Sequence, residues 1–131
     1  DNSCFETAFI VSNDLERKKV VFGTETEIFI PPLSTGLNSW ILHNHPRNSS
    51  FSTEDLAALT MPGYSGITIA KNNGGIEMLT KSTGCDILKM RNEVRRLLKK
   101  NFDVKDADVS KMITKWTEKG WVNWTSMEKI P

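Results

Sequence analysis

Ser39-Trp40-Ile41-Leu42-His43-Asn44-His45-Pro46, continued by Arg47-Asn48-Ser49-Ser50-Phe51-Ser52-Thr53-Glu54-Asp55-Leu56-Ala57-Ala58-Leu59, is the stretch on which the reading of this chain turns. It holds both histidines of the protein, one residue apart. The apolar run Trp40-Ile41-Leu42 predicts a strand over 39–43, apolar on both faces and therefore central in a sheet. Pro46 stops the run. Ser52 or Thr53 then caps a short helix over about 53–60, ended by Met61-Pro62-Gly63. Side chains alternate along a strand, so imidazoles at i and i+2 point the same way and can share one metal ion. Asp55, at the start of the helix, can add a carboxylate at a third corner. Two histidines, one carboxylate and an open position form a catalytic zinc arrangement. Such a site lowers the pKa of its water to roughly 7.

Working outward, Phe5-Glu6-Thr7-Ala8-Phe9-Ile10-Val11 reads as a buried strand, with Glu6, Ala8 and Ile10 on one face. Residues 13–17 make a turn, and Lys18–Thr24 returns as the second strand of a hairpin. Glu27-Ile28-Phe29-Ile30 is a short strand closed by Pro31-Pro32, and 33–38 is loop. Beyond the short helix, 65–71 and 75–81 are strands joined by Asn72-Asn73-Gly74, whose Asn-Gly pair marks a hairpin. Residues 86–101 switch to helical period, with Ile87, Met90, Val94, Leu97 and Leu98 on one stripe. A second helix over 106–119 turns Val109, Met112, Ile113 and Trp116 inward and stops at Gly120. A tail bearing Trp121 and Trp124 follows. Strands, a short helix, more strands and two helices predict an α/β domain on a single mixed sheet flanked by helices.

At 131 residues the chain fits one domain, residues 1–131, long enough for a real core. The core covers about 5–81, and a two-helix extension covers about 86–131. A formal net charge of +1 supplies no field that would steer the protein to nucleic acid or an acidic membrane. The two cysteines, Cys4 and Cys85, have no metal-like spacing, and free thiols in a reducing, cytoplasmic setting are the expectation. No apolar run approaches a membrane span of about 18 residues. Asp1-Asn2-Ser3-Cys4 is no signal peptide, and without an initiator methionine the chain reads as a piece of something longer.

A metal hydrolase also needs a proton acceptor and a donor for the developing oxyanion. Ser52 is well placed to donate. Glu6 is the candidate base, because an acidic residue on an otherwise buried strand is costly unless it has a role or a partner. Glu25 and Glu27 are the substitutes. Plainer readings stand beside these. Ser52-x-x-Asp55 also fits a capping box, with Asp in place of Glu. Glu6 could be an exposed edge residue, and two histidines can fall close together by chance.

His43-Asn44-His45-Pro46, then Ser52, then Asp55 resembles the His-x-His-Pro, loop, Ser-x-x-Asp signature of the JAB/MPN (JAMM) metallopeptidase family. The wording is similar to RadC-like bacterial members and to JAB domains of phage and polymorphic-toxin proteins. The resemblance covers about residues 5–81. The loop 47–51 is one residue shorter than the family's usual spacing. The resemblance implies a deaminase-like α/β sandwich, with His43, His45 and Asp55 as zinc ligands. It also implies that Ser52 supports the tetrahedral intermediate and that Glu6 is the general base. The implied activity is zinc-dependent cleavage of a peptide or isopeptide bond in a protein or peptide substrate.

The competing reading is a non-catalytic scaffold or interaction module of the same fold, within a phage or toxin polyprotein. A barrel-type metal hydrolase would need about 250 residues. A zinc deaminase would need a Cys-x-x-Cys, which is missing. The letters of an HNH nuclease are present, but in that motif they are far apart. A nucleic-acid role would lean on the basic helix 87–100, and such a run is more often a solvated face.

Overall fold

The structure is a computed structural model that describes residues 6–12, 18–22, 39–46, 49–100 and 106–127. The turn expected at 13–17, the strand at 27–30, the loop 33–38, Gly23-Thr24, Cys4, Glu25 and Glu27 lie outside the described residues.

Alternation of apolar residues drives the strands. They are β1 (Thr7–Ser12), β2 (Lys18–Phe22), β3 (Ser39–His45), β4 (Tyr64–Lys71), β5 (Ile76–Lys81) and β6 (Val122–Met127). They form one six-stranded sheet in the order β2-β1-β3-β4-β5-β6. The β3–β4 pair is parallel and the other pairs are antiparallel. A parallel pair needs a long crossover, and α1 (Thr53–Leu59) is the helix in it. Helices α2 (Ile87–Lys99) and α3 (Asp106–Glu118) follow β5. The chain is thus a mixed α/β structure on one mixed sheet.

Ala8, Ile10, Ile41, Ile67, Ile69 and Leu79 share one face of the sheet and are buried. Leu56 and Leu59 of α1, Met90 and Val94 of α2, and Ile113 and Trp116 of α3 complete the same core. Removing this apolar surface from water is the main stabilising term. The opposite face differs from the expectation of a strand buried on both sides. Phe9 is 46% exposed and Leu42 is 41% exposed. β3 is central in pairing, between β1 and β4, while its second face stays partly open among the described residues.

Strand β3 runs two residues further than predicted. Asn44 and His45 pair with Ala70 and Lys71, so both histidines are strand residues held in register. Pro46 ends the strand. The β4–β5 hairpin turns at 72–74, with Gly74 at φ 90°. Its N–H donates to the Lys71 carbonyl at 3.0 Å, and the Lys71 N–H donates to the Gly75 carbonyl at 2.8 Å. That positive φ is what Gly tolerates at the end of a three-residue hairpin loop.

The stripe read on α2 holds for Met90, Val94 and Leu97, but Leu98 is 44% exposed. The buried place goes to Glu93, which pairs with Lys115 and faces Trp116 Nε1 at 3.4 Å across to α3. A charged side chain can enter a helix stripe when a partner helix supplies donors. The basic residues Lys89, Arg95, Arg96, Lys99 and Lys100 are exposed, as a solvated helix face requires.

The largest addition to the sequence reading is the tail. Residues 122–127 form β6, paired along β5 from Lys81↔Val122 to Ile76↔Met127. Trp121 and Val122 join the core, together with Val109, Ile113 and Trp116 of α3. Among the described residues no helix is long and apolar enough to cross a membrane.

Gly66 marks a tight point on β4, between Trp40 of β3 and the backbone of β5. A Cβ there would lie 2.8 Å from the Leu79 carbonyl oxygen and clash with the edge of the Trp40 ring. Gly66→Ala is expected to lower stability by about 2 kcal/mol, because backbone on one side and an aromatic ring on the other must shift. A thermal or urea melt measures it, and an unchanged midpoint would contradict this packing.

Candidate metal centre

Topology brings four titratable side chains to one end of the sheet. The carboxyl ends of parallel strands β3 and β4 lie together, and β1, antiparallel to β3, begins at that same end. Crevices at the carboxyl ends of strands are the usual ligand sites of α/β sheets. Ala8 pairs with His43, so Glu6, two residues earlier, falls on the same face beside the histidines. Helix α1 starts at this end, a few residues after β3, so its first turn delivers Asp55.

Asp55 is 3% exposed and both of its oxygens are engaged. Oδ1 lies 3.0 Å from His43 Nδ1, and Oδ2 lies 3.1 Å from His45 Nε2. Oδ2 also accepts the Ser52 N–H at 2.9 Å, while Ser52 Oγ accepts the Asp55 N–H at 3.1 Å. This reciprocal pair is the capping box read from the sequence. Asp55 therefore caps its helix and touches both rings at once. Burial alone would raise its pKa, but the hydrogen bonds and charges of His43 and His45 outweigh that and hold it well below the usual carboxylate range.

His43, 4% exposed, stands between two carboxylates. Its Nε2 lies 2.5 Å from Glu6 Oε1, yet that approach is not aligned as a hydrogen bond. His45 Nδ1 faces the Ser49 carbonyl oxygen at 2.9 Å and the Ser49 hydroxyl at 3.1 Å. The two rings meet edge-on, at 83° and 4.8 Å between centroids. Burial would lower the His45 pKa, but Asp55, the Ser49 backbone and Glu6 together raise it. Burial raises the pKa of Glu6, and attraction to His43 and His45 only partly offsets this.

A neutral imidazole has one N–H to give. His43 meets carboxyl oxygens at both nitrogens, so one side stays unsatisfied unless a further proton, on the ring or on Glu6, or a cation enters. With both carboxylates ionised and both rings neutral, the cluster carries two negative charges, which one divalent cation balances. The donor set also fits, because imidazole nitrogen and carboxylate oxygen are ordinary ligands of zinc. The ligand atoms of Glu6, His43 and His45 lie within 4.8 Å of one another, and this buried cluster could hold a metal ion. Asp55 is not in that set of three; its oxygens face His43 Nδ1 and His45 Nε2.

All five residues singled out in the sequence thus lie in one assembly. Glu6 is buried rather than an exposed edge residue, with 6% exposure. Ser52 is the N-cap, and its Oγ accepts a hydrogen bond while keeping its own proton to donate. Sequence reasoning missed the Ser49 carbonyl, because a backbone contact leaves no mark in residue type. It also missed Glu77, a buried carboxylate on β5 that bonds Ser50 of the same loop. The pattern contained a clue to Glu77, which shares its inward face with Leu79, just as Glu6 shares one with Ala8. Comparisons with protein-family models, curated proteins and solved structures returned no match.

The pKa directions set a pH dependence for the metal-free protein. Asp55 stabilises the fold fully above its ordinary value of 3.8, and this is lost as pH falls through the depressed folded value. Glu6 and His45 have the opposite sign. Their contributions are full below their ordinary values of 4.5 and 6.5 and are lost as pH rises through the raised folded values. Urea melts in chelator are expected to show greatest stability in the mildly acidic range, with a decline toward alkaline pH that added zinc reverses. Stability rising steadily from about pH 5 to 8 without metal would contradict this ordering.

Proposed function

We propose that the protein is a zinc-dependent hydrolase that cleaves a peptide or isopeptide bond, of the type found in JAB/MPN metallopeptidases. One observation carries the reading. Two strand histidines and two carboxylates from different elements converge in a buried cluster with more acceptor oxygens than ring protons. The His-x-His-Pro and Ser-x-x-Asp wording supports the same class and its deaminase-like fold.

His43 and His45 would hold the ion with Asp55, and Glu6 would carry the proton. The opposed pKa directions favour this division. In the metal-free cluster the two rings hold Asp55 as an anion, while burial raises the pKa of Glu6. Carboxylates whose environments push their pKa values apart commonly divide the roles of acid and base. When bound, zinc supplies Lewis acidity, lowering the pKa of water to roughly 7 and polarising a carbonyl oxygen. In the hydrolysis, water adds to the amide carbonyl carbon and the C–N bond breaks. Glu6 takes a proton from the water and passes it to the departing amine nitrogen. Ser52 donates its hydroxyl proton as a hydrogen bond to the oxygen on which negative charge develops. The Ser49 carbonyl can hold the His45 ring in place through Nδ1.

Metal analysis of the purified protein is expected to give about one zinc per chain, as three protein ligands and an open position imply. His43→Ala and Asp55→Ala are expected to lose it. Glu6→Gln is expected to keep zinc and lose hydrolysis of peptide or isopeptide test substrates by about a hundredfold or more. Folded protein without zinc affinity overturns the reading. Loss of zinc from Glu6→Gln would instead make Glu6 the third ligand, with Asp55 orienting the two rings.

A further inference from the structure

Glu77 is 3% exposed, lies outside the cluster just described, and has no part in the proposed chemistry. Its Oε1 accepts from the Ser50 hydroxyl at 2.9 Å and from Trp124 Nε1 at 3.0 Å. Its Oε2 lies 2.9 Å from Lys71 Nζ. Burial alone would raise its pKa, but Lys71, Ser50 and Trp124 outweigh that and lower it. A carboxylate out of water is costly unless several donors meet it, and here they come from three separate places. Lys71 ends β4, Trp124 belongs to β6, and Ser50 belongs to the segment between β3 and α1.

That segment carries two contacts of the metal centre. Ser49, next to Ser50, offers its carbonyl to His45 Nδ1, and Ser52 caps Asp55. A side chain serving only to staple β5 to β6 would need Trp124 alone. The Ser50 bond instead ties Glu77 to the loop that sets the His45 ring. A second tie runs parallel to it, since Asn72 Nδ2 donates to the Pro46 carbonyl at 2.8 Å from the hairpin turn. Register places Glu77 level with the site, because His43 pairs with Ile69 and Ile69 with Glu77.

We infer that Glu77 is a positioning residue for the metal centre: anchored by Lys71 and Trp124, it fixes Ser50 and through it the Ser49 carbonyl that orients His45. The tail strand β6 thereby takes part in building a site formed by the first half of the chain. This inference rests on the proposed metal-binding reading. Outer partners that orient a metal-ligating histidine commonly change metal affinity by 10–100-fold.

The test measures zinc affinity by chelator competition, and the visible absorption spectrum of the Co2+-loaded protein, for wild type, Ser50→Ala, Glu77→Gln and the double variant. Each single variant is expected to weaken zinc binding roughly tenfold and to shift the Co2+ spectrum. The double variant should be no weaker than the weaker single, because both break one link. Trp124→Phe, which removes only the indole donor, is expected to weaken binding in the same direction and by less. Should Glu77→Gln fail to fold, Ser50→Ala decides alone, since it deletes one part-buried hydroxyl. Folded Ser50→Ala with wild-type zinc affinity and an unchanged Co2+ spectrum overturns the inference and leaves the hydrolase reading standing. Wild type that binds neither ion overturns both.

Discussion

Asp55 is bonded to both histidine rings and to the backbone that starts its own helix. The rest of the site depends on that one buried carboxylate. It joins the end of a central strand to the start of the crossover helix, the two parts a parallel pair must bring together. Desolvation opposes burying a charge there, and the donors that overcome it are the groups that make the site chemically useful. The helix cap and the ring contacts are therefore one structural event. A side chain that only capped the helix would not reach His43 and His45, and one that only bound the rings would leave the helix start uncapped.

The second constraint is proton number. His43 lies between Asp55 and Glu6, and a single ring proton cannot serve both. Protons and divalent cations can fill the same deficit. Burial keeps the deficit from being relieved by solvent, since Glu6, His43, His45 and Asp55 are all buried. The edge-on packing of the rings and the Ser49 contact restrict how far the imidazoles can turn to escape it.

Much of this was legible in residue order. Alternation in Glu6-Thr7-Ala8-Phe9-Ile10 put Glu6, Ala8 and Ile10 on one face, because period two is imposed by strand geometry, and the structure makes that face the inward one. Ser52-x-x-Asp55 read as a cap, and the hairpin at Asn72-Asn73-Gly74 read as a turn, because both are local hydrogen-bond patterns. Leu98, placed on the buried stripe by period, is exposed while Glu93 takes the buried place, for the opposite reason. Helical period places both near the stripe, and the choice between them depends on α3, where Lys115 and Trp116 supply donors to Glu93. The tail carries no strand signal of its own, because a strand at a sheet edge takes its identity from its neighbour, and β6 exists as a strand through its pairing with β5.

By itself the sequence determined the donor types, their spacing on strand and helix, and the α/β class, since these follow from covalent order and the periods of regular backbone. Tertiary structure alone decided which carboxylates reach the histidines, and from which side. Glu6 arrives through antiparallel pairing of β1 with β3, and Asp55 through the start of the crossover helix beside the end of β3. Glu77 is tied in through a loop, a hairpin and the last strand, across separations of 27 residues to Ser50 and 47 to Trp124. No local period spans such distances. The burial that sets the opposed pKa directions of Glu6 and Asp55 likewise arises only when the sheet and its helices close over them.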